Sequence, residues 1–282
     1  MPLPHAVIIG AQKAATTGLY RTLSTHPDVM ALGVPEVGVL HRGADGWDAW
    51  LRARDPSIYE RPEPATLVAK LATAMYFSDT LDNLRVLNER ARVIAILRHP
   101  VDRMLSLHRY AVQRGLESRP AERALRADDV ERAHHWRLGS YSEGSRYATA
   151  IERVQQVFGD GALFVDYADV RSGACLPAIQ EFLGLPLRDI RPVRANESRA
   201  PRSMAVARTS ASPRLQQVAR SALPVQWRAG IRRKLAQWNS TSHPPQQEPL
   251  SDDFRSELIE RHVPDVLAAE QVLTRALPLW LK

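Results

Sequence analysis

The sequence has a single cysteine, no long apolar run and no visible cluster of metal ligands, and each absence narrows what the protein can be. Cys175 by itself forms neither an intrachain disulfide nor a cysteine-rich metal site, and no base stands beside it in sequence. No stretch approaches the roughly 18 to 20 apolar residues of a membrane span. Residues 1–5 lack the basic and apolar regions of a secretion signal. We therefore expect a cytoplasmic protein that needs no metal.

The composition fits a globular protein with a basic surface. Of 282 residues, 44% are hydrophobic and 24% are charged, which suits one large domain with ample core. There are 38 Lys and Arg against 31 Asp and Glu, a formal net charge of +7. Such a surface attracts nucleic acid, a membrane face or a polyphosphorylated small molecule. An arginine-rich background explains much of the excess as solvated surface, so charge alone does not choose among these partners.

Short apolar runs alternate with helical patterns, which predicts an α/β fold with a largely parallel sheet. The predicted strands are 6–9, 93–97 and 162–165, and the predicted helices are 16–24, 100–114, 143–158 and one that starts at Asp252 behind Ser251. The segments that break the pattern are a long loop or small helical insert at 43–64, an exposed excursion at 117–139, a loop at 191–213, a basic stretch at 214–238 and a linker at 239–245.

The strongest local signal lies between the first strand and the first helix, in Gly10-Ala11-Gln12-Lys13-Ala14-Ala15-Thr16-Thr17. Backbone N–H groups and a helix N-terminus converge at such a point and favour an anion. A nucleotide-triphosphate loop reads G-x-x-x-x-G-K-[ST], with its lysine on the β- and γ-phosphates. Here Ala15 and Thr16 occupy the sixth and seventh positions, and the lysine is Lys13. That placement suits a nucleotide with one 5′-phosphate, although an ordinary strand–turn–helix junction stays an alternative for this segment alone.

A second basic motif follows the strand 93–97 and begins Arg98-His99-Pro100-Val101-Asp102-Arg103, with Ser106 shortly after. A P-loop kinase usually places an acidic residue near here to hold Mg²⁺. This strand instead ends in an arginine, at the edge where α/β folds bind ligands. Arg98 and Ser106 are therefore predicted to hold a second phosphate, one by charge and one by its hydroxyl. Taken alone, Arg98 would more often be a surface ion-pair partner.

Together these motifs resemble those of sulfotransferases that use 3′-phosphoadenosine 5′-phosphosulfate (PAPS), in the branch that includes heparan sulfate sulfotransferases and bacterial relatives. The loop 10–17 is similar to that family's 5′-phosphosulfate-binding loop, and 98–106 to its 3′-phosphate-binding motif. Residues 165–171 and 181–185 resemble a later strand and helix of the same branch. The resemblance implies a P-loop-type central parallel sheet flanked by helices, with a helical C-terminal extension.

The resemblance also implies a set of nucleotide-binding residues and a domain plan. The set is Gln12, Lys13, Ala14, Ala15, Thr16, Thr17, Arg98, Ser106, Asn196, Arg199 and Arg202. The last three lie in the segment 191–213, where the family closes a basic loop over the nucleotide. We expect one domain, 1–282, with a core to about 190 and a helical part from about 214. No nucleic acid partner is expected.

Glu36 fits the position of the glutamate that follows the first helix in this branch, where it would deprotonate the acceptor as sulfur is attacked in line. Lys13 would neutralise the charge that builds on the leaving phosphate. Pro35 stands where that branch usually has lysine, and Ala72 stands where a lysine near the acceptor can occur; Lys70 is two residues early and receives no role. A plain surface carboxylate is the alternative for Glu36. The fallback bases are His41, His99, His108, His134 and His135.

Two other functions stay open at this point. A P-loop kinase or nucleotide hydrolase shares the fold, but the missing lysine and the arginine in place of a magnesium carboxylate argue against it. A non-catalytic protein that binds a sulfated glycan or an acidic membrane is the second. For an enzyme, the acceptor group is a hydroxyl or amine of a glycan, a glycolipid or a secondary metabolite. The basic stretch with Trp227 and Trp238 leaves peripheral membrane contact open, and the sequence does not set the oligomeric state.

Overall fold

The computed structural model describes residues 1–60, 66–127, 140–193, 200–201, 240–241, 249–277 and 280. The chain forms two compact units, one of Met1–Arg103, Arg146–Ala195 and Ile259–Lys282, the other of Met104–Ser145 and Asn196–Leu258. None of the helices in the described ranges is both long and apolar enough to cross a membrane.

The first unit is built on a five-stranded sheet in the order β2-β3-β1-β4-β5. Its strands are β1 (Ala6–Gly10), β2 (Val29–Glu36), β3 (Thr66–Lys70), β4 (Arg92–Leu97) and β5 (Ala162–Asp166). Every neighbouring pair is parallel. Strand β1 is buried along its whole length and β4 is buried from Val93 onward, as expected of central strands covered on both faces. The predicted α/β fold with a central parallel sheet is confirmed.

Helices make up most of the remaining described chain of the two units. In chain order they are α1 (Thr16–Leu23), α2 (Trp47–Arg54), α3 (Ser78–Leu87), α4 (Pro100–Gln113), α5 (Ala121–Arg126), α6 (Ala148–Phe158), α7 (Tyr167–Ser172), α8 (Leu176–Leu183) and α9 (Asp252–Leu273). The last of these begins behind Ser251, whose Oγ accepts a hydrogen bond from Phe254 N at 3.4 Å. This start of α9 agrees with the sequence prediction.

The predicted helix 143–158 is shorter than expected. Glu143–Ser145 form a 3₁₀ turn, and α6 begins only at Ala148. The carboxylate of Asp265 on α9 accepts hydrogen bonds from the N–H groups of Tyr147 at 2.6 Å and Ala148 at 3.2 Å. This tertiary cap satisfies two of the N–H groups that a helix start leaves unpaired, so it sets the first residue of α6.

The prediction that residues 117–139 form an exposed excursion is wrong for residues 117–127, the part that is described. Residues 121–126 form α5, and Ala121, Ala124 and Leu125 of this helix are buried. Glu117 is also buried, at 5% exposure, and its carboxylate accepts hydrogen bonds from the N–H groups of Ser118 and Arg119. Apolar side chains at helical spacing anchor a segment whose high charge indicated a solvated loop. Residues 128–139 lie outside the described ranges.

Two other irregular segments contain regular structure. The described part of the insert, residues 43–60, is largely helical, with α2 followed by a 3₁₀ turn at Pro56–Glu60, and Trp47 is fully buried. The predicted linker 239–245 includes β7 (Ser240–Thr241), which pairs antiparallel with β6 (Ala200–Pro201) in the second unit. The rest of the basic stretch and its preceding loop, 194–199 and 202–239, lies outside the described residues.

Candidate active site

The carboxyl ends of the five parallel strands share one edge of the sheet, and the candidate residues follow those ends. Glu36 ends β2, Lys70 ends β3, Gly10 ends β1, and Arg98 comes directly after β4. Since β1 lies between β3 and β4, the loop after Gly10 is flanked by the ends of β3 and β4. This edge is the usual ligand-binding edge of open α/β sheets.

The loop after β1 has a backbone that suits an anion. Lys13 has φ 73° and Ala15 has φ 62°, both in the left-handed region that residues with a Cβ seldom adopt. Ala15 is the N-cap of α1, and no side chain of the described residues caps this helix. Left-handed residues in a loop aim successive N–H groups at one point, and a helix N-terminus adds its positive dipole end. The strained turn therefore leaves backbone donors at the start of α1 for a ligand.

Two arginines of the second motif hold the carbonyl side of this loop. Arg98 Nη1 donates a hydrogen bond of 2.8 Å to the carbonyl oxygen of Lys13. Arg103, at 1% exposure, donates a longer one of 3.5 Å to the carbonyl oxygen of Gln12. Consecutive carbonyls are thus turned onto guanidinium groups, away from the N–H side of the peptides. From the sequence, Arg98 was predicted to bind a phosphate, and Arg103 had no predicted role.

Arg98 is itself held on two sides. Its guanidinium carbon lies 4.3 Å from the ring centroid of Tyr167, the first residue of α7. Its carbonyl oxygen accepts a 3.1 Å hydrogen bond from the hydroxyl of Tyr147, which is fully buried. Stacking on an aromatic face and a fixed backbone restrict the rotamers of a long side chain, so Arg98 is pre-positioned at the loop.

The ends of β2 and β3 bring a carboxylate onto a buried ammonium. The strand register sets Glu36 opposite Lys70, and Lys70 Nζ donates to Glu36 Oε1. Ala72 N donates to the other oxygen, Oε2, at 3.4 Å. Lys70 is 3% exposed, whereas the Glu36 side chain is 51% exposed. Both carboxylate oxygens are therefore fixed while the group stays open to an incoming molecule.

His41 lies beside this carboxylate, in the 3₁₀ turn Gly38–His41 that follows β2. Its Nδ1 is 2.7 Å from Thr80 Oγ1 on α3, and its Nε2 is 3.4 Å from Thr73 Oγ1. Burial lowers the pKa of His41, and the negative charge of Glu36 opposes that shift only in part. The imidazole is therefore predominantly neutral near pH 7, with a ring orientation set by two threonine hydroxyls.

The remaining candidates are placed as follows. Ser106 is half-buried on α4. His108 is 2% exposed and its Nε2 is 3.0 Å from the carbonyl oxygen of Arg119, so Nε2 carries the proton and the ring is a poor base candidate. His99 is half-buried just after β4. The candidates outside the described residues are His134, His135, Asn196, Arg199 and Arg202.

Two further observations bear on cofactors and nucleophiles. Cys175 is 9% exposed at the start of α8, and burial raises the pKa of its thiol to about 11, which fits a structural residue. In the part of the chain that the structure describes, no three His, Cys, Asp or Glu side chains lie close enough together to hold a metal ion.

No known protein-family profile matches the chain. Over 109 residues it is 31% identical to the human heparan sulfate glucosamine 3-O-sulfotransferases 3B1 and 3A1; this stretch is 37% of the chain. It spans 26% of the length of the first relative and 25% of the second.

Two solved structures share the fold. A sulfotransferase from Alicyclobacillus acidocaldarius superimposes with a TM-score of 0.71 at 19% identity and covers 100% of both chains. The sulfotransferase domain of an olefin synthase from Synechococcus gives a TM-score of 0.52 at 19% identity, over 98% of this chain and 96% of that one. The resemblance predicted from the two phosphate motifs is confirmed, and the chain has the sulfotransferase fold.

Proposed function

We propose that the protein is a PAPS-dependent sulfotransferase that moves a sulfuryl group to a hydroxyl or amine of an acceptor molecule. One juxtaposition carries the proposal. The phosphate loop carries its lysine at position 13, earlier than in a nucleotide-triphosphate loop, and Arg98 holds the carbonyl oxygen of that lysine. At the same sheet edge, a strand ends in the half-exposed carboxylate of Glu36. A loop for one phosphate and a fixed carboxylate at the same sheet edge suit transfer from a nucleotide with a single 5′-linkage. The acceptor classes that this leaves are glycans, glycolipids and secondary metabolites.

The chemistry of the residues at this sheet edge suits the two anionic ends of PAPS. The backbone donors at the start of α1, with the hydroxyls of Thr16 and Thr17, suit the 5′-phosphosulfate. Arg98 and Ser106 would bind the 3′-phosphate, and Asn196, Arg199 and Arg202 would cover the nucleotide. In the described residues the 3′-phosphate assignment is supported by Arg98, whose guanidinium is already oriented by Tyr167.

The reaction needs alignment and charge stabilisation more than covalent help. Glu36 takes the proton of the acceptor as the acceptor oxygen or nitrogen attacks sulfur. The bond between sulfur and the bridging phosphate oxygen breaks, and its electron pair stays on the 5′-phosphate. Lys13 neutralises that new charge. Lys70 and the N–H of Ala72 hold the Glu36 carboxylate in one orientation during the proton transfer.

The test is release of 3′-phosphoadenosine 5′-phosphate (PAP) from PAPS in the presence of a panel of hydroxyl and amine acceptors. We expect Lys13→Ala to lower kcat by about a hundredfold or more while the affinity for PAP falls less, because the lysine acts on charge that forms during transfer. Arg21→Ala, an exposed cation in the last turn of α1, is the matched control and should turn over like wild type.

Three results would contradict parts of the proposal. Near-normal turnover of Lys13→Ala would remove the leaving-group role of this lysine. Hydrolysis of Mg-ATP, with no release of PAP from PAPS under any condition, would indicate a kinase or nucleotide hydrolase instead. If the protein binds PAP and its Glu36→Gln variant releases PAP from PAPS as fast as wild type, the nucleotide site stands but Glu36 is not the base.

A further inference from the structure

The surface next to Glu36 consists of two segments that contact each other. One is the 3₁₀ turn Gly38–His41, and the other is residues 73–83, which include the first turns of α3. Asn83 Nδ2 donates to the carbonyl oxygen of Leu40 at 2.9 Å, and Thr80 Oγ1 contacts His41 Nδ1 at 2.7 Å. We call these two segments, together with Glu36, the acceptor corner.

The acceptor corner presents an aromatic ring to solvent. Phe77 is 48% exposed and is one of only five large hydrophobic side chains among the described residues that are so exposed. The His41 ring meets it edge to face, at 5.3 Å between centroids and an interplanar angle of 82°. Thr73 Oγ1 lies 3.4 Å from Nε2 of the same histidine, and Ala72 N lies 3.4 Å from Glu36 Oε2. The exposed ring and the carboxylate are thus tied to neighbouring residues of one turn.

The charge of the acceptor corner is negative. The acidic side chains of the acceptor corner are Glu36, Asp79 and Asp82, and the adjoining residues 42–46 add one charge of each sign, Arg42 and Asp45. All five are exposed. Lys70 lies beneath this surface, but it is buried against Glu36. A polyanion that approached Glu36 would meet carboxylates here, and like charges at close range disfavour binding.

We infer that the acceptor is an uncharged hydroxyl compound that lays a ring face on Phe77 and points its hydroxyl at Glu36, and that it is not a sulfated glycan. This inference rests on the proposed function and deepens it. Aromatic side chains bind the apolar face of a sugar ring and the face of a phenol in the same way, through dispersion and stacking. Neutral His41 and the hydroxyls of Thr73 and Thr80 are hydrogen-bonding groups that do not require a charged acceptor molecule. The human relatives are named for heparan sulfate, so this assignment separates the chain from them.

The experiment measures acceptor binding directly, so that it does not depend on turnover. The full chain is titrated, with and without saturating PAP, with octyl glucoside below its micelle concentration, with 4-methylumbelliferone, and with a heparan sulfate octasaccharide. We expect at least one neutral ring compound to bind at least tenfold more tightly than the octasaccharide at about 0.15 M salt. The glucoside and the phenol distinguish a sugar from an aromatic acceptor.

Variants assign this binding to the acceptor corner. Phe77→Ala should weaken the neutral ligand about tenfold and leave the affinity for PAP unchanged. Val86→Ala removes a side chain that is 78% exposed on the same helix α3 and should change neither affinity. Asp79→Asn with Asp82→Asn should improve octasaccharide binding severalfold and leave the neutral ligand unaffected.

The outcomes separate the two claims. Tighter binding of the octasaccharide, no binding of either ring compound, or an unchanged affinity in Phe77→Ala overturns this inference even if PAP binds. Failure of PAP to bind overturns the proposed function, and the titrations without PAP still report on Phe77.

Discussion

At the scale of single residues, Arg98 connects the two phosphate motifs. Its Nη1 holds the carbonyl oxygen of Lys13 at 2.8 Å, and its guanidinium lies against Tyr167. In the proposed function, a substitution therefore removes a ligand of the 3′-phosphate and also loosens the loop that is proposed to bind the 5′-phosphosulfate. Lysine would restore the charge but neither the planar contact with the ring nor the fixed fork of donors.

We expect Arg98→Ala to weaken binding of PAP by ten- to a hundredfold, because a charge-assisted hydrogen bond contributes about 1.5 to 3 kcal/mol. Arg98→Lys should recover only part of this loss. Isothermal calorimetry measures both, and Arg92→Ala, at the exposed opposite end of β4, is the control. An Arg98→Ala variant that binds PAP like wild type would mean that the arginine is only a support for the loop.

Cys175 gives a second prediction at this scale. At pH 8 a thiol whose pKa burial raises to about 11 is almost wholly protonated, and the thiolate is the reactive form. We therefore expect iodoacetamide to label Cys175 in the native protein at least a hundredfold more slowly than in urea. Mass spectrometry of timed samples measures the rate. Rapid labelling of the native protein would place the thiol at an accessible surface and contradict the burial.

At the scale of elements, the ion pair of Lys70 and Glu36 at the ends of β3 and β2 affects both the stability of the fold and the proposed reaction. Lys70 is 3% exposed, so its ammonium depends on Glu36 for charge compensation. Removal of one partner of a buried pair costs more than removal of both, because it leaves a buried charge without its counter-ion.

We expect Glu36→Gln to lower the free energy of unfolding by about 1 to 3 kcal/mol, less than for a fully buried pair because Glu36 is half exposed. Adding Lys70→Met should restore most of this stability without restoring turnover. Urea unfolding and PAP release measure the two effects separately. If the double variant were less stable than Glu36→Gln, the cost would come from packing of the lysine stem and not from its charge.

The ion pair of Lys70 and Glu36 could not be predicted from the sequence. Strands β1, β4 and β5 were predictable, because each is an uninterrupted apolar run between turn signals. Strand β2 contains Gly33 and Pro35, which break its apolar run, and β3 has only three consecutive apolar residues before Lys70, so neither was predicted. Without these strands the register that sets Lys70 opposite Glu36 is invisible, and Lys70 received no role. The start of α6 was missed for a related reason, since its cap, Asp265, lies 117 residues away from Ala148 along the chain.

At the scale of the whole molecule, the parallel order of the sheet assembles the site from distant parts of the chain. The loop 10–17 and Arg98 follow strands that are neighbours in the sheet, and Arg98 contacts the carbonyl oxygen of Lys13. Roles in binding stay proposals, as does the single-domain arrangement. Asn196, Arg199 and Arg202 of the predicted covering loop lie outside the described residues, so the nucleotide contacts expected of them stay a prediction.

The most direct test of the central claim is a calorimetric titration of the wild-type protein with PAP, beside ATP with and without Mg²⁺. The loop 10–17 suits one 5′-phosphate, and Arg98 stands where a kinase would have a carboxylate for magnesium. We therefore expect PAP to bind without metal and more tightly than ATP in either condition. Binding of Mg-ATP with none of PAP would contradict the account and assign this sheet edge to a nucleotide triphosphate.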